Sequence, residues 1–171
     1  MTWHRVMELV HTYEKIRYRG FEAKLLLIGA GKEFDAVTQR VNNSAFSKDI
    51  EMTGFIDGSE LNSFKSKIDI GVMPGSNWYG IPTKVFEYGA FGIASVAPAT
   101  PTIKDIFVDK KEILLFDLEN EDSMEETLVK LLSDEEFRIE IAKNLKQRIV
   151  SEYSISNARL CYMNMFSQFI S

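Results

Sequence analysis

The sequence predicts an α/β domain of three layers built around a mostly parallel sheet. Short apolar runs, several of them closed by glycine or proline, alternate with stretches of helical spacing. The runs are apolar at successive positions rather than at every second one, as in strands buried on both faces of a parallel sheet. At 171 residues with 45% hydrophobic content, the chain fits one domain over 1–171 with an ordinary core.

From Arg5 to Arg19, Val6, Leu9, Val10, Tyr13 and Ile16 recur at helical intervals, and Gly20 suits the helix C-terminus. Lys24-Leu25-Leu26-Leu27-Ile28-Gly29 then reads as a strand buried on both faces. A helix over about Lys32 to Asn43, a strand near Ile50 to Thr53, a short helix from Ser59 and a strand over Ile68 to Met73 follow. Pro82 to Phe91 reads as a helix, and Ile93 to Ala97 and Ile113 to Phe116 as strands. From Glu121 the chain is helix-rich and closes on two long helices. The charges of Asp134, Glu135, Glu136, Arg138, Glu140 and Lys143 around spaced apolar residues mark a solvated helix face.

Composition removes several function classes. A formal charge of −5 gives no broad attraction to nucleic acid, so no nucleic-acid partner is expected. Cys161 is the single cysteine, which rules out an internal disulfide or a cysteine-based zinc cage from this chain. Its neighbours Leu160, Tyr162, Met163 and Met165 suggest a small core residue. His4 and His11 stand seven apart with no metal-ligand pattern around them and read as helix surface. No metal and no cofactor are expected. No apolar run is long enough to cross a bilayer, so the expectation is a soluble, cytoplasmic domain.

Two segments have the residue types for phosphate chemistry. Gly29-Ala30-Gly31 lies between a strand and a helix, where small residues let a phosphate-bearing ligand approach the backbone. A dinucleotide fingerprint would place a third glycine where Phe34 stands and an acidic residue at the end of the next strand, whereas Glu51 is near its start. A nicotinamide-dependent oxidoreductase is therefore the weakest reading.

The second segment runs from Met73-Pro74-Gly75 through Trp78-Tyr79-Gly80-Ile81-Pro82-Thr83-Lys84 to Glu87 and Gly92, out of a buried strand and into a helix. Pro82 fits the first helical turn, where its missing N–H costs little, and neighbouring amides are left free at the positive end of the helix dipole. Such a place could hold a diphosphate without needing a metal to offset all its charge. Lys84 adds a positive charge, and Glu87, three residues on, presents a carboxylate that can accept two hydrogen bonds from a vicinal diol such as ribose. The same spacing also allows a plain Lys84–Glu87 surface ion pair. Trp78 either shelters a ligand or plugs the loop from beneath.

Gly80-Ile81-Pro82-Thr83-Lys84-Val85-Phe86-Glu87-Tyr88-Gly89-Ala90-Phe91-Gly92 resembles the donor-site signature of retaining family-4 glycosyltransferases. Leu26-Leu27-Ile28-Gly29-Ala30-Gly31, Thr53-Gly54-Phe55-Ile56 and Asp69-Ile70-Gly71-Val72-Met73-Pro74 follow that family's order, so the resemblance covers nearly the whole chain. It implies the Rossmann-like, nucleotide-sugar-binding C-terminal half of a two-domain GT-B enzyme. The resemblance assigns Glu87 to the ribose hydroxyls and the backbone of Gly80, Ile81, Pro82 and Thr83 to the donor diphosphate, with Lys84 beside it. Gly29 and Gly31 would line the same cleft, and Gly54, Phe55 and Ile56 would meet the base mainly through backbone atoms.

Two departures shape the remaining expectations. Tyr79 stands where many family members carry a second glutamate, eight positions before the Glu87 equivalent. A tyrosine can stack on a sugar or hydrogen-bond to it but supplies no carboxylate charge. The family's opening strand and loop, with an arginine and a lysine at the diphosphate, have no counterpart in this sequence, nor has the acceptor-binding N-terminal domain. The chain alone is thus expected to transfer little or nothing. The parent enzyme would transfer a sugar from a nucleotide-diphosphate sugar to an unidentified acceptor with retention, in the cytoplasm or peripheral to a membrane. A strand lost from mid-sheet would expose edges that self-association or an upstream segment would fill. The alternative is an interaction or regulatory domain that keeps the fold without binding a nucleotide.

Overall fold

A computed structural model of the chain describes residues 4–157, 159 and 163. Helix α1 (Val6–Tyr18) leads to β1 (Leu25–Ile28), α2 (Phe34–Asn42), a 3-10 turn at Ser47–Asp49, β2 (Ile50–Gly54) and α3 (Gly58–Lys65). Strand β3 (Ile70–Val72), α4 (Thr83–Phe91), β4 (Ala94–Pro98), α5 (Pro101–Ile106) and β5 (Leu114–Phe116) follow, and α6 (Ser123–Ser133) and α7 (Glu135–Glu152) end the described fold. Every strand and helix read from the sequence is present within a few residues. The six-residue α5 and the turn before β2 are additions. Cys161 lies outside the described residues.

All five strands run parallel to their neighbours, but they form two hydrogen-bonded sheets, β1-β2 and β3-β4-β5. Leu25 pairs with Ile50 and Leu27 with Met52, and the register slips by one residue before Ile28 meets Gly54. In the second sheet Ile70 pairs with Ala94, and Val96 with both Val72 and Leu114. Strand β4, paired on both sides, is buried throughout, whereas β1 is half-buried at all four positions. The sequence expectation of a fully buried β1 is thus corrected. Among the described residues no strand pairs with its other edge, and all four of its positions are partly accessible.

The side chains of β4 alternate between two cores, which makes the three layers. Ala94 and Val96 face Leu9 and Ile16 of α1 and Met124, Leu128 and Leu131 of α6. Ala97 faces the other way, toward Val85 of α4, Ile103 of α5 and Leu145 and Ile149 of α7. Leu25 and Leu27 of β1 and Ile70 and Val72 of β3 all pack against the first core, so side chains join the two sheets where no backbone ladder does. A third cluster, Val10, Tyr13, Val37, Val41 and Ile50, seats α1 and α2 on β2. Helices α1 and α6 are also clasped by charge: Lys15 meets Asp122 at 2.5 Å and Glu125 at 3.1 Å, and Arg19 meets Glu125 at 2.6 Å.

Candidate functional site

The glycine loops after β1 and β2 meet directly. Gly29 donates its N–H to the Gly54 carbonyl at 2.9 Å, which closes the two strand ends against each other. Gly29 and Gly54 have φ of 112° and 65°, in the left-handed region that glycine occupies without a Cβ penalty. Phe34, which stands where a dinucleotide fingerprint would have glycine, donates its N–H to the Gly31 carbonyl at 3.0 Å, and its ring tip lies 3.8 Å from where a Gly54 Cβ would be. Gly29 and Gly31 are exposed, Ile56 is half-buried, and Phe55 is 87% exposed. After this loop Asp57 caps α3 by accepting the Gly58 N–H.

The segment leaving β3 is held by its own short-range contacts. Ser76 Oγ donates to the Asn77 carbonyl, and Gly80 N–H returns to that same oxygen at 3.2 Å. A Cβ on Gly80 would fall 2.4 Å from Asn77 Oδ1 and 2.7 Å from Ser76 Oγ, so any larger residue there would have to displace both side chains. Thr102 on α5 donates its hydroxyl to the Trp78 carbonyl at 2.9 Å and tethers the loop's outer limb. Trp78 and Tyr79 pack edge to face at 5.3 Å, yet they are 73% and 61% exposed. Trp78 is therefore no plug beneath the loop. Its ring lies on the surface beside Tyr79.

Helix α4 begins at Thr83, so Pro82 is its fully buried N-cap rather than part of its first turn. Not every amide expected to be free is free. Thr83 N–H donates to the Ile81 carbonyl, and Val85 N–H to the Pro82 carbonyl, each at 2.9 Å. The Ile81 and Lys84 backbone N–H groups make no hydrogen bond among the described residues. The helix buries Val85 and Gly89 against α7 and leaves Ala90 and Phe91 exposed, so it is less enclosed than its apolar sequence implied.

Lys84 and Glu87 do not pair. Lys84 is exposed without an ion pair among the described residues, and Glu87 Oε2 instead accepts from Lys65 Nζ, the last residue of α3, at 3.0 Å. The Lys65 ammonium also lies 4.9 Å from the centre of the Phe91 ring, one helical turn beyond Glu87. No sequence signal pointed to Lys65. It lies 22 residues before Glu87 on a different helix, and only the packing of α3 beside α4 joins them. Next to Glu87, burial, with a smaller contribution from the Glu87 charge, pushes the Tyr88 phenol up to about 12. Its hydroxyl lies 3.4 Å from the Val72 carbonyl.

Of the residues read from the sequence, the structure brings Gly29 and Gly31 beside Gly54, and Tyr79, Gly80, Ile81, Pro82 and Thr83 into the turn that opens α4. No hydrogen bond or ion pair among the described residues joins the first group to Lys84 or Glu87; the link is α3, through Lys65. His11 is an exposed residue of α1, and among the described residues no helix is long and apolar enough to cross a membrane.

Residues 2–148 match the protein family described as glycosyl transferases group 1. No curated protein sequence matches significantly. Among solved structures, the fold is similar to the C-terminal domain of the group 1 glycosyl transferase LpcC from Francisella tularensis, with a TM-score of 0.79 at 22% identity over 91% of this chain and 82% of that one. It is also similar to TarM from S. aureus, solved in complex with fondaparinux, α-GlcNAc-glycerol and UDP: TM-score 0.83, 15% identity, 97% of this chain and 33% of TarM. HepE from Anabaena in complex with UDP gives a TM-score of 0.81 at 12% identity, over 96% of this chain and 46% of that one. The chain thus spans less than half the length of the last two. The shared fold is the Rossmann-like C-terminal domain of GT-B glycosyltransferases.

Proposed function

Because the chain belongs to the glycosyl transferases group 1 family, we propose that it is the donor-binding domain of a GT-B enzyme that takes its sugar from a nucleotide-diphosphate sugar. The observation that carries this reading is Glu87: a carboxylate 54% exposed, on the helix that opens from the Gly80–Pro82 turn, with Oε1 free of any ion pair among the described residues. It can accept the two hydroxyls of a ribose. The Ile81 and Lys84 amides and the Lys84 ammonium would receive the diphosphate, and Gly29, Gly31 and the backbone of Gly54, Phe55 and Ile56 would flank the nucleotide. Tyr79, exposed at the turn, would face the sugar. Charge developing on the leaving diphosphate would be met by these donors rather than by a metal.

The reading extends to a family-4-like, retaining transfer to an acceptor bound by a second domain. The edges of β1 and β3 that are unpaired among the described residues support a further strand between them, from a longer chain or from a second copy. The complexes of TarM and HepE with UDP make uracil the first base to try. Calorimetric titration of the chain with UDP, GDP and ADP tests the proposal, with Glu87→Ala alongside. One nucleotide should saturate, and the substitution should cost about 1–3 kcal/mol, roughly 5- to 150-fold in Kd. Unchanged affinity in Glu87→Ala would remove the assigned role. Binding of none of the three would favour an interaction domain instead.

A further inference from the structure

The Lys65–Glu87 pair is asymmetric in a way that an ordinary surface ion pair is not. The cation is the buried partner, with the whole lysine 8% exposed, while the carboxylate it holds is open to solvent. Burying an ammonium is costly unless it is paired, and lysine is among the residues least often found inside. Three features at this position offset that cost. Glu87 Oε2 lies 3.0 Å from Nζ, the Phe91 ring lies 4.9 Å from it, and Lys65 sits at the C-terminal turn of α3, where the helix dipole favours a cation. Glu87 and Phe91 are four residues apart on one face of α4, so carboxylate and ring both lie against the same ammonium. Two of the three contacts do not involve Glu87. The ammonium is thus a fixed post, and the carboxylate it restrains points outward.

From this we infer that Lys65 is a positioning residue for ribose recognition: it fixes the rotamer of Glu87 so that the carboxylate meets the 2′ and 3′ hydroxyls of a nucleoside diphosphate already aimed. The inference rests on the proposed role of Glu87. An ionised carboxylate has about four acceptor directions on its two oxygens. Lys65 occupies one on Oε2, which leaves Oε1 and the second direction on Oε2 for the two hydroxyls. Without the lysine, Glu87 would rotate freely at the surface, and binding would have to order it. The arrangement also ties the loop after β2 to the turn before α4, because α3 carries Lys65 and α4 carries Glu87.

The experiment compares one nucleoside diphosphate, whichever of UDP, GDP and ADP binds best, with its 2′,3′-dideoxy form. Both are titrated by calorimetry into the wild-type chain and into Lys65→Met, Lys65→Arg and Glu87→Ala. Lys65→Met should weaken the ribonucleotide roughly tenfold, the size of one charge-assisted hydrogen bond, and leave the dideoxynucleotide unchanged. Lys65→Arg, which keeps the charge, should restore most of the loss. Lys65→Gln replaces the methionine variant if circular dichroism shows that variant to be misfolded. Equal weakening of both nucleotides would make Lys65 a structural residue only and overturn the inference, as would no weakening of either. Loss of ribose discrimination in Lys65→Met but not in Glu87→Ala, or no binding by the wild type, would overturn the reading of Glu87 itself.

Discussion

A methyl group added at Gly71 tests the packing that seats α4. The Cβ of Gly71→Ala would lie 2.4, 2.5 and 2.8 Å from Cδ2, Cγ and Cδ1 of Tyr88. Carbon atoms in contact sit about 3.5–4.0 Å apart, so the ring must retreat by roughly 1 Å. The atoms in conflict are the rigid root of a half-buried aromatic side chain, not the tip of a flexible one. Overpacking of this kind costs about 1–3 kcal/mol. For a chain of this size each kcal/mol lowers Tm by roughly 2–4 °C, so Gly71→Ala should melt about 2–12 °C below the wild type by circular dichroism. Tyr88→Ala removes all three conflicting atoms, and in that background Gly71→Ala should cost less than about 0.5 kcal/mol. A wild-type melting temperature for Gly71→Ala would refute the assigned contact. A full penalty persisting beside Tyr88→Ala would place the conflict elsewhere.

Two further predictions depend on pH. Hydrogen bonding from Arg19, and then from Lys15, holds the Glu125 carboxyl below its ordinary range, so the α1–α6 clasp stabilises the fold above that range and is lost as pH falls through the lowered value. Glu125→Gln should cost roughly 1–2 kcal/mol at pH 7 by urea denaturation, a figure reduced because Lys15 and Arg19 are 35% and 50% exposed; the gap from wild type should close in acid, and a constant gap would show that charge is not responsible. The Tyr88 phenol is raised to about 12, so stability is full below the ordinary tyrosine value and declines as pH rises from 10 toward 12. Ultraviolet titration of Tyr88→Phe should lack the latest-ionising phenol, and loss of an early one instead would contradict its burial.

The parts of the fold that were legible in the sequence are those governed by local pattern. Leu25–Ile28 is a continuous apolar run and Ala94–Pro98 is interrupted only by the small Ser95, and each is a parallel strand, because such runs have no polar face to turn to water. Helix α5 was passed over, although Thr100-Pro101 is an N-cap followed by a proline in the first turn, because six residues give too short a periodic signal. Pairing was not legible. Whether β1 lies beside β3 depends on contacts between distant segments, and residue type does not encode them. At the site, the turn before α4 was visible through Gly80 and Pro82, whose chemistry is local. Lys65 was not, since an ordinary lysine at the end of a short helix becomes notable only when α4 buries it.

The division of the strands into two sheets sets what controls the distance between the loop after β1 and the turn before α4. Within a ladder, strand spacing is fixed by hydrogen-bond geometry and cannot be tuned by side-chain choice. Among the described residues β1 and β3 are joined by side-chain volume, supplied by Leu25, Leu27, Ile70 and Val72 around the shared core. Among the described residues, no backbone ladder fixes the spacing of one sheet against the other. Under the proposed donor role, the span that a nucleotide would bridge from Gly29 to Glu87 is therefore set by methyl groups far from either residue, together with the ion pair by which Lys65 joins α3 to α4.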